Sequence, residues 1–134
     1  MYTDFTSIEI AQILIGLFLS ICMLQSGLDK ALDWKGNRNF LQGHFSDTFL
    51  SNFTPLMLAT VLILELVGGV FCLLGVIDGL LSYDTTLIEV GLVIIGIDLV
   101  ALFFGQRIAK DYEGAATLVS YFMLCMIGII TFGL

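Results

Sequence analysis

Leu56–Ile77 is an almost unbroken apolar run with one carboxylate, Glu65, near its middle. A helix crosses a bilayer in roughly 20 apolar residues at about 1.5 Å rise each, and this run is that long. A charge at such depth costs on the order of 2.5–3.5 kcal/mol on insertion scales, unless it is paired, neutral or facing a cavity. The rest of the chain therefore has to surround Glu65 with something other than lipid.

Composition places the whole chain in the same class. Its 134 residues are 58% hydrophobic and 13% charged, against about 45–50% and about 25% in soluble domains. An integral membrane protein of a single domain, residues 1–134, is expected. The formal net charge of -7 argues against nucleic acid as a partner and leaves the lipid bilayer as the surroundings. Cys22, Cys72 and Cys125 lie inside apolar runs with no Cys-x-x-Cys pair, and read as small packing residues.

Four spans are expected, at about 8–31, 54–77, 86–105 and 115–132. Hydrocarbon offers no partner for an unpaired backbone, so each must be a helix. Thr6 or Ser7 suits the first N-cap, with Glu9 in the first turn, and Pro55 suits the first helical position of the second span. The fold class is all-α: four transmembrane helices in an antiparallel bundle, with an amphipathic interfacial or re-entrant helix between the first and second spans. That extra helix covers about 37–52, where Phe40, Leu41, His44, Phe45, Thr48, Phe49 and Phe53 recur at helical spacing. Trp34 sits just ahead of it, at the depth that indole rings prefer. The segment is either an anchor in the interface or a lid over a site, with His44 pointing inward.

All five basic residues, Lys30, Lys35, Arg38, Arg107 and Lys110, fall at the end of the first span or in the first and third connections. The positive-inside rule puts both connections in the cytoplasm and both termini outside. No basic n-region precedes the first run and no small-residue cleavage site follows it, so it reads as a retained helix rather than a signal peptide.

Measured from the cytoplasmic ends, Gln25, Asp98 and Tyr121 lie roughly 10–13 Å deep and Glu65 about 15–16 Å, at about 1.5 Å per residue. One polar group from each span thus falls in one layer. Gly16 and Gly27 share a stripe with Ser20, Met23 and Lys30, while Gly68 and Gly69 share one with Glu65, Gly91 and Gly105 with Asp98, and Gly128 with Tyr121; small residues mark close helix contact in membranes. The acids should face the interior. Two readings stay open for Glu65 and Asp98. They are neutral or hydrogen-bonded glue, partnered by Gln25, Tyr121 or Ser120, or they line a pocket with Lys30, His44 and Arg107 near its cytoplasmic mouth. Asp84 and Glu89 read as a solvated outer edge. The chain carries no Ser/His/Asp or Cys/His nucleophile set, phosphate loop, haem-ligand pair or metal-ligand spacing. No metal, no intrinsic cofactor and no catalysis by the chain alone are expected, and catalytic residues are unassigned.

Phe18 followed by Gly27-Leu28-Asp29-Lys30 resembles the F-x(n)-G-x-x-K end of the first helix in the DoxX family. Glu65 to Gly75 resembles that family's E-x-x-G-G-x-x-x-L-x-G second helix, and His44-Phe45 ahead of a Pro-started helix is similar to a segment of DoxX-like proteins. Beyond Leu80 the likeness rests on the four-span pattern. The basic residue that many members carry at the start of the first helix is absent. The resemblance implies a four-helix protein of the bacterial inner membrane. Some relatives are tied to thiosulfate:quinone oxidoreduction or to membrane-associated oxidative-stress complexes. It implies first a small accessory subunit of a larger respiratory or quinone-linked complex, with other membrane subunits or a second copy as partners. The alternative is a protein that binds a quinone, a lipid head group or protons through Glu65 and Asp98. The third reading is a membrane oxidoreductase of quinone or sulfur chemistry. The family has no agreed catalytic residues, so Lys30 and Glu65 carry over only as positions that match its pattern.

Overall fold

The helices begin where side chains can satisfy the first free N–H groups. In the computed structural model, which describes residues 5–134, Thr6 accepts from Glu9 N at 3.1 Å while Glu9 Oε1 accepts from Thr6 N at 2.9 Å, a complete capping box. This opens α1, Ser7–Leu32. Asp33 then serves as C-cap of α1 and N-cap of α2, Trp34–His44, so the chain turns a corner at a single residue. After a 3-10 turn at Phe49–Phe53 come α3 (Thr54–Ser82), α4 (Thr86–Ile108) and α5 (Tyr112–Thr131). Among the described residues there is no strand, and α1, α3, α4 and α5 are each long and apolar enough to cross a membrane. The structure is a helical bundle, as a multi-pass membrane protein requires.

Helix ends depart from the apolar runs in an instructive way. The helix expected over 37–52 covers Trp34–His44 instead, and Trp34 is its first residue rather than a flank. Ser46, Asp47 and Thr48 follow, residue types whose side chains compete for local backbone groups. Thr48 Oγ1 accepts from Leu50 N at 3.2 Å and restarts the chain as the 3-10 turn. The second span, expected to stop at 77, continues helically to Ser82, whose Oγ donates to Asp78 O and Oδ1 at 2.9 and 2.8 Å. It stops at Tyr83, whose left-handed backbone (φ 63°) lets its N–H donate to Gly79 O. Likewise α4 runs three residues past Gly105 to Ile108, and α5 begins at Tyr112, where Asp111 Oδ1 accepts from Gly114 N at 2.9 Å.

The main packing contacts are of α3 with α4 and with α1, and of α4 with α5. Along the α3–α4 contact the partners are Gly75 with Ile88, Cys72 with Gly91, and Gly68 with Ile95. A Cβ on Gly75 would stand 2.5 Å from the Ile88 nitrogen, and one on Gly91 2.8 Å from the Cys72 nitrogen. These are backbone-to-backbone approaches that only glycine permits. Against α1, α3 sets Gly27 under Leu66 and Gly69 under Leu24. Gly16 meets Ile88, and Gly128 of α5 meets Leu92 and Ile15. Leu19, Ile88, Leu92, Ile95 and Leu99 fill the middle with the thiols of Cys72 and Cys125. Outward, Leu14, Ile21, Ile63, Val100 and Met123 are each more than half exposed. Apolar side chains outside and carboxylates inside is the arrangement lipid demands.

Candidate functional site

The α1–α3 contact decides what meets Glu65. With Gly27 against Leu66, the residues one position back and one turn on from Gly27, Ser26 and Lys30, come onto the Glu65 carboxyl. Ser26 Oγ donates to Glu65 Oε2 at 2.8 Å, and Lys30 Nζ donates to Ser26 Oγ at 2.6 Å. Lys30 Nζ also stands 3.0 Å from Glu65 Oε1. That last contact lies off hydrogen-bond alignment, and Oε1 has no aligned donor. At 3.0 Å the Coulombic attraction governs, so the contact is an ion pair. The Glu65 side chain is 3% exposed and that of Lys30 18%. The acid is shut in while the ammonium keeps an opening.

Asp98 lies on the other side of the same layer. The α3–α4 partners Gly75–Ile88, Cys72–Gly91 and Gly68–Ile95 step along both helices in opposite senses, and the next turn brings Glu65 opposite Asp98. Asp98 is fully buried and neither carboxyl oxygen has a hydrogen-bond partner. A buried polar group left so costs about 1–3 kcal/mol, more if charged.

A cavity of about 410 Å³ opens beside this layer, between α2, the first turns of α3 and the last turns of α4. Lys30 lines it, and so does a second polar group formed by His44, Gln106 and Asp111. His44 Nε2 lies 2.9 Å from Gln106 Oε1, a pairing in which Nε2 carries the ring proton, and 3.6 Å from Asp111 Oδ2. The His44 ring stacks on Phe40 at 5.6 Å and meets Phe45 edge-on. Phe45 is buried and lies against Gly105, so leaving the helix after His44 drops this ring under the bundle as one wall. Most of the remaining wall is apolar, with Leu50, Met57, Leu58 and Leu102.

The structure thus gathers Glu65, Asp98 and Lys30 in one place and puts His44 on the cavity they adjoin. Gln25 is exposed on the outer face of α1, as is Ser120 on α5. Tyr121 is half-buried and packs against the hydrophobic core. Arg107 is exposed, its guanidinium 4.5 Å above the Tyr112 ring. Sequence reasoning missed Ser26, Gln106 and Asp111. Ser26 was findable, since it stands four residues before Lys30 on the same helical face. It also missed buried Gln12, which accepts from Thr85 Oγ1 at 2.7 Å near the far end of α1. Cys72 and Cys125 are buried free thiols, Cys22 a partly buried one, and Cys125 Sγ donates to Leu92 O at 3.0 Å. Comparison with family models, with curated proteins and with solved structures returns no match for this chain.

Proposed function

We propose that this is a DoxX-like protein of the bacterial inner membrane that holds a small amphipathic molecule in the chamber beside the Lys30–Glu65 pair. The observation that supports the reading is the chamber itself. It combines about 410 Å³ of largely apolar wall with two separate polar groups, Lys30 and the His44–Gln106–Asp111 set. Small-molecule sites have that make-up, apolar with a few placed polar groups. In this reading the spans form an antiparallel bundle with both termini outside, α2 lies in the cytoplasmic interface, and ligand enters from that side. A quinone is the ligand class that the family resemblance adds, and a lipid head group the one that the polar layer of Glu65 and Asp98 adds.

The second reading is the accessory subunit of a respiratory or quinone-linked complex. It draws on α5, whose most apolar stretch is 17% buried against 33–39% for the other spans, leaving a side open to another subunit. One experiment separates the two. Tagged protein purified in mild detergent is analysed intact by mass spectrometry, and its bound small molecules are extracted and identified. A stoichiometric small molecule lost on Lys30→Gln supports the chamber reading. Reproducible partner proteins with no bound molecule overturn it in favour of the subunit. Single-chain protein with neither overturns both and leaves the acids as helix glue.

A further inference from the structure

Resting on the chamber reading, we infer that the ligand is an amphipathic carboxylate, with one apolar chain in the chamber and its anionic oxygens on Lys30. The ion pair shows its positive side to the cavity. Lys30 lines the chamber and its side chain is 18% exposed, whereas Glu65 is 3% exposed and stands behind it. The ammonium also has a donor to spare. Of its three N–H groups, one makes the short bond to Ser26 Oγ and one is spent on the Glu65 attraction. The remaining acceptor within reach is Ser26 O at 3.5 Å, a distance at which little hydrogen bond is left. A carboxylate oxygen entering from the chamber supplies the missing acceptor in a charge-assisted bond, the stronger kind.

The other acid on the chamber does not reverse this. Asp111 already accepts from Gly114 N at 2.9 Å as the cap of α5, and lies 3.6 Å from His44 Nε2. Oδ1 is engaged as that cap and Oδ2 faces the His44 ring, so Asp111 belongs to the second polar group of the chamber and not to the one Lys30 presents. Size favours one chain over two. The volume of about 410 Å³ stands toward the lower end of the roughly 300–1,000 Å³ typical of ligand sites.

The test is intact mass spectrometry of the full-length protein, first delipidated in detergent and then given oleate, oleyl alcohol or phosphatidylglycerol at equal concentration. One oleate per chain is expected, with the alcohol at least about tenfold weaker, the ratio one charge-assisted hydrogen bond commands. Lys30→Gln should reduce oleate to the level of the alcohol. Glu65→Gln should tighten oleate several-fold, because it removes the resident competitor for the ammonium. If Lys30→Gln alone does not fold, the Lys30→Gln/Glu65→Gln protein has no stranded charge and gives the same comparison. Equal binding of acid and alcohol overturns the anionic head group and leaves a small-molecule chamber standing. Binding of phosphatidylglycerol in preference to oleate overturns the single-chain carboxylate in favour of a membrane lipid. Binding of none of the three overturns the inference, and the chamber reading is then decided by the co-purified molecules.

Discussion

Lys30 and Glu65 answer one another, and the energetic consequence of a substitution depends on what is left behind. Removing one member of a fully buried pair costs about 3–5 kcal/mol because the other charge is stranded. Lys30 keeps some exposure, and unfolded chains in a membrane also find partners, so about 1–3 kcal/mol is expected here. Lys30→Met and Glu65→Leu should each lower stability by that amount in denaturation with a harsh detergent. The double variant should return to within about 1 kcal/mol of the parent. Simple addition of the two losses would show that the pair is not coupled. Asp98 has the opposite sign. Its carboxyl holds no hydrogen bond that a substitution could remove, so Asp98→Asn should cost nothing and gain up to about 2 kcal/mol by relieving a buried acid. A clear loss in the same assay would reveal a partner for Asp98. That both acids face the bundle interior was legible in the chain from their stripes of small residues, and both are buried. Their partners were not, because neighbouring residues such as Gln25 and Ser26 differ by about 100° around a helix of 3.6 residues per turn. That angle puts Ser26 on Glu65 and Gln25 on the outer face.

At the scale of elements, two glycines make the contrast that sets helix contact apart from helix propensity. Gly75 meets the α4 backbone, where a Cβ would stand 2.5 Å from Ile88 N. Nothing flexible is available to move aside. Gly75→Ala should force α3 and α4 apart at a cost of about 1–3 kcal/mol. Gly43, in α2, has no atom within 4 Å of where a Cβ would be. There Ala only improves the helix, and Gly43→Ala should be neutral or stabilising by up to about 1 kcal/mol. Thermal melts in detergent decide both, and a stable Gly75→Ala protein would contradict the close approach of these helices. The apolar pattern over 37–52 carried the amphipathic character of α2 but hid its end. Periodicity records which side chains are apolar, whereas the break after His44 is made by backbone turns and by Thr48, whose Oγ1 donates to Phe45 O and accepts from Leu50 N.

For the whole molecule, the positive-inside asymmetry makes a direct prediction. In a chain with Cys22 replaced by Ala, Asp84→Cys should react with a membrane-impermeant maleimide on intact cells. Lys35→Cys and Lys110→Cys should react only once the membrane is opened. Labelling in the reverse pattern would turn the orientation over and move the mouth of the chamber to the outer face. The chain by itself determined four helices long and apolar enough to cross a membrane, because hydrophobic length and the ban on unpaired backbone in lipid are properties of local sequence. It also determined that two acids would sit inside the bundle, where both are buried. Only the tertiary structure decided that Ser26 and Lys30 hold Glu65, that Asp98 faces it unpartnered, and that Phe45 turns under the bundle to enclose a chamber. Each of those depends on helix rotation and register, set by which glycines let two backbones touch, and a one-residue change in either redirects every side chain by about 100°.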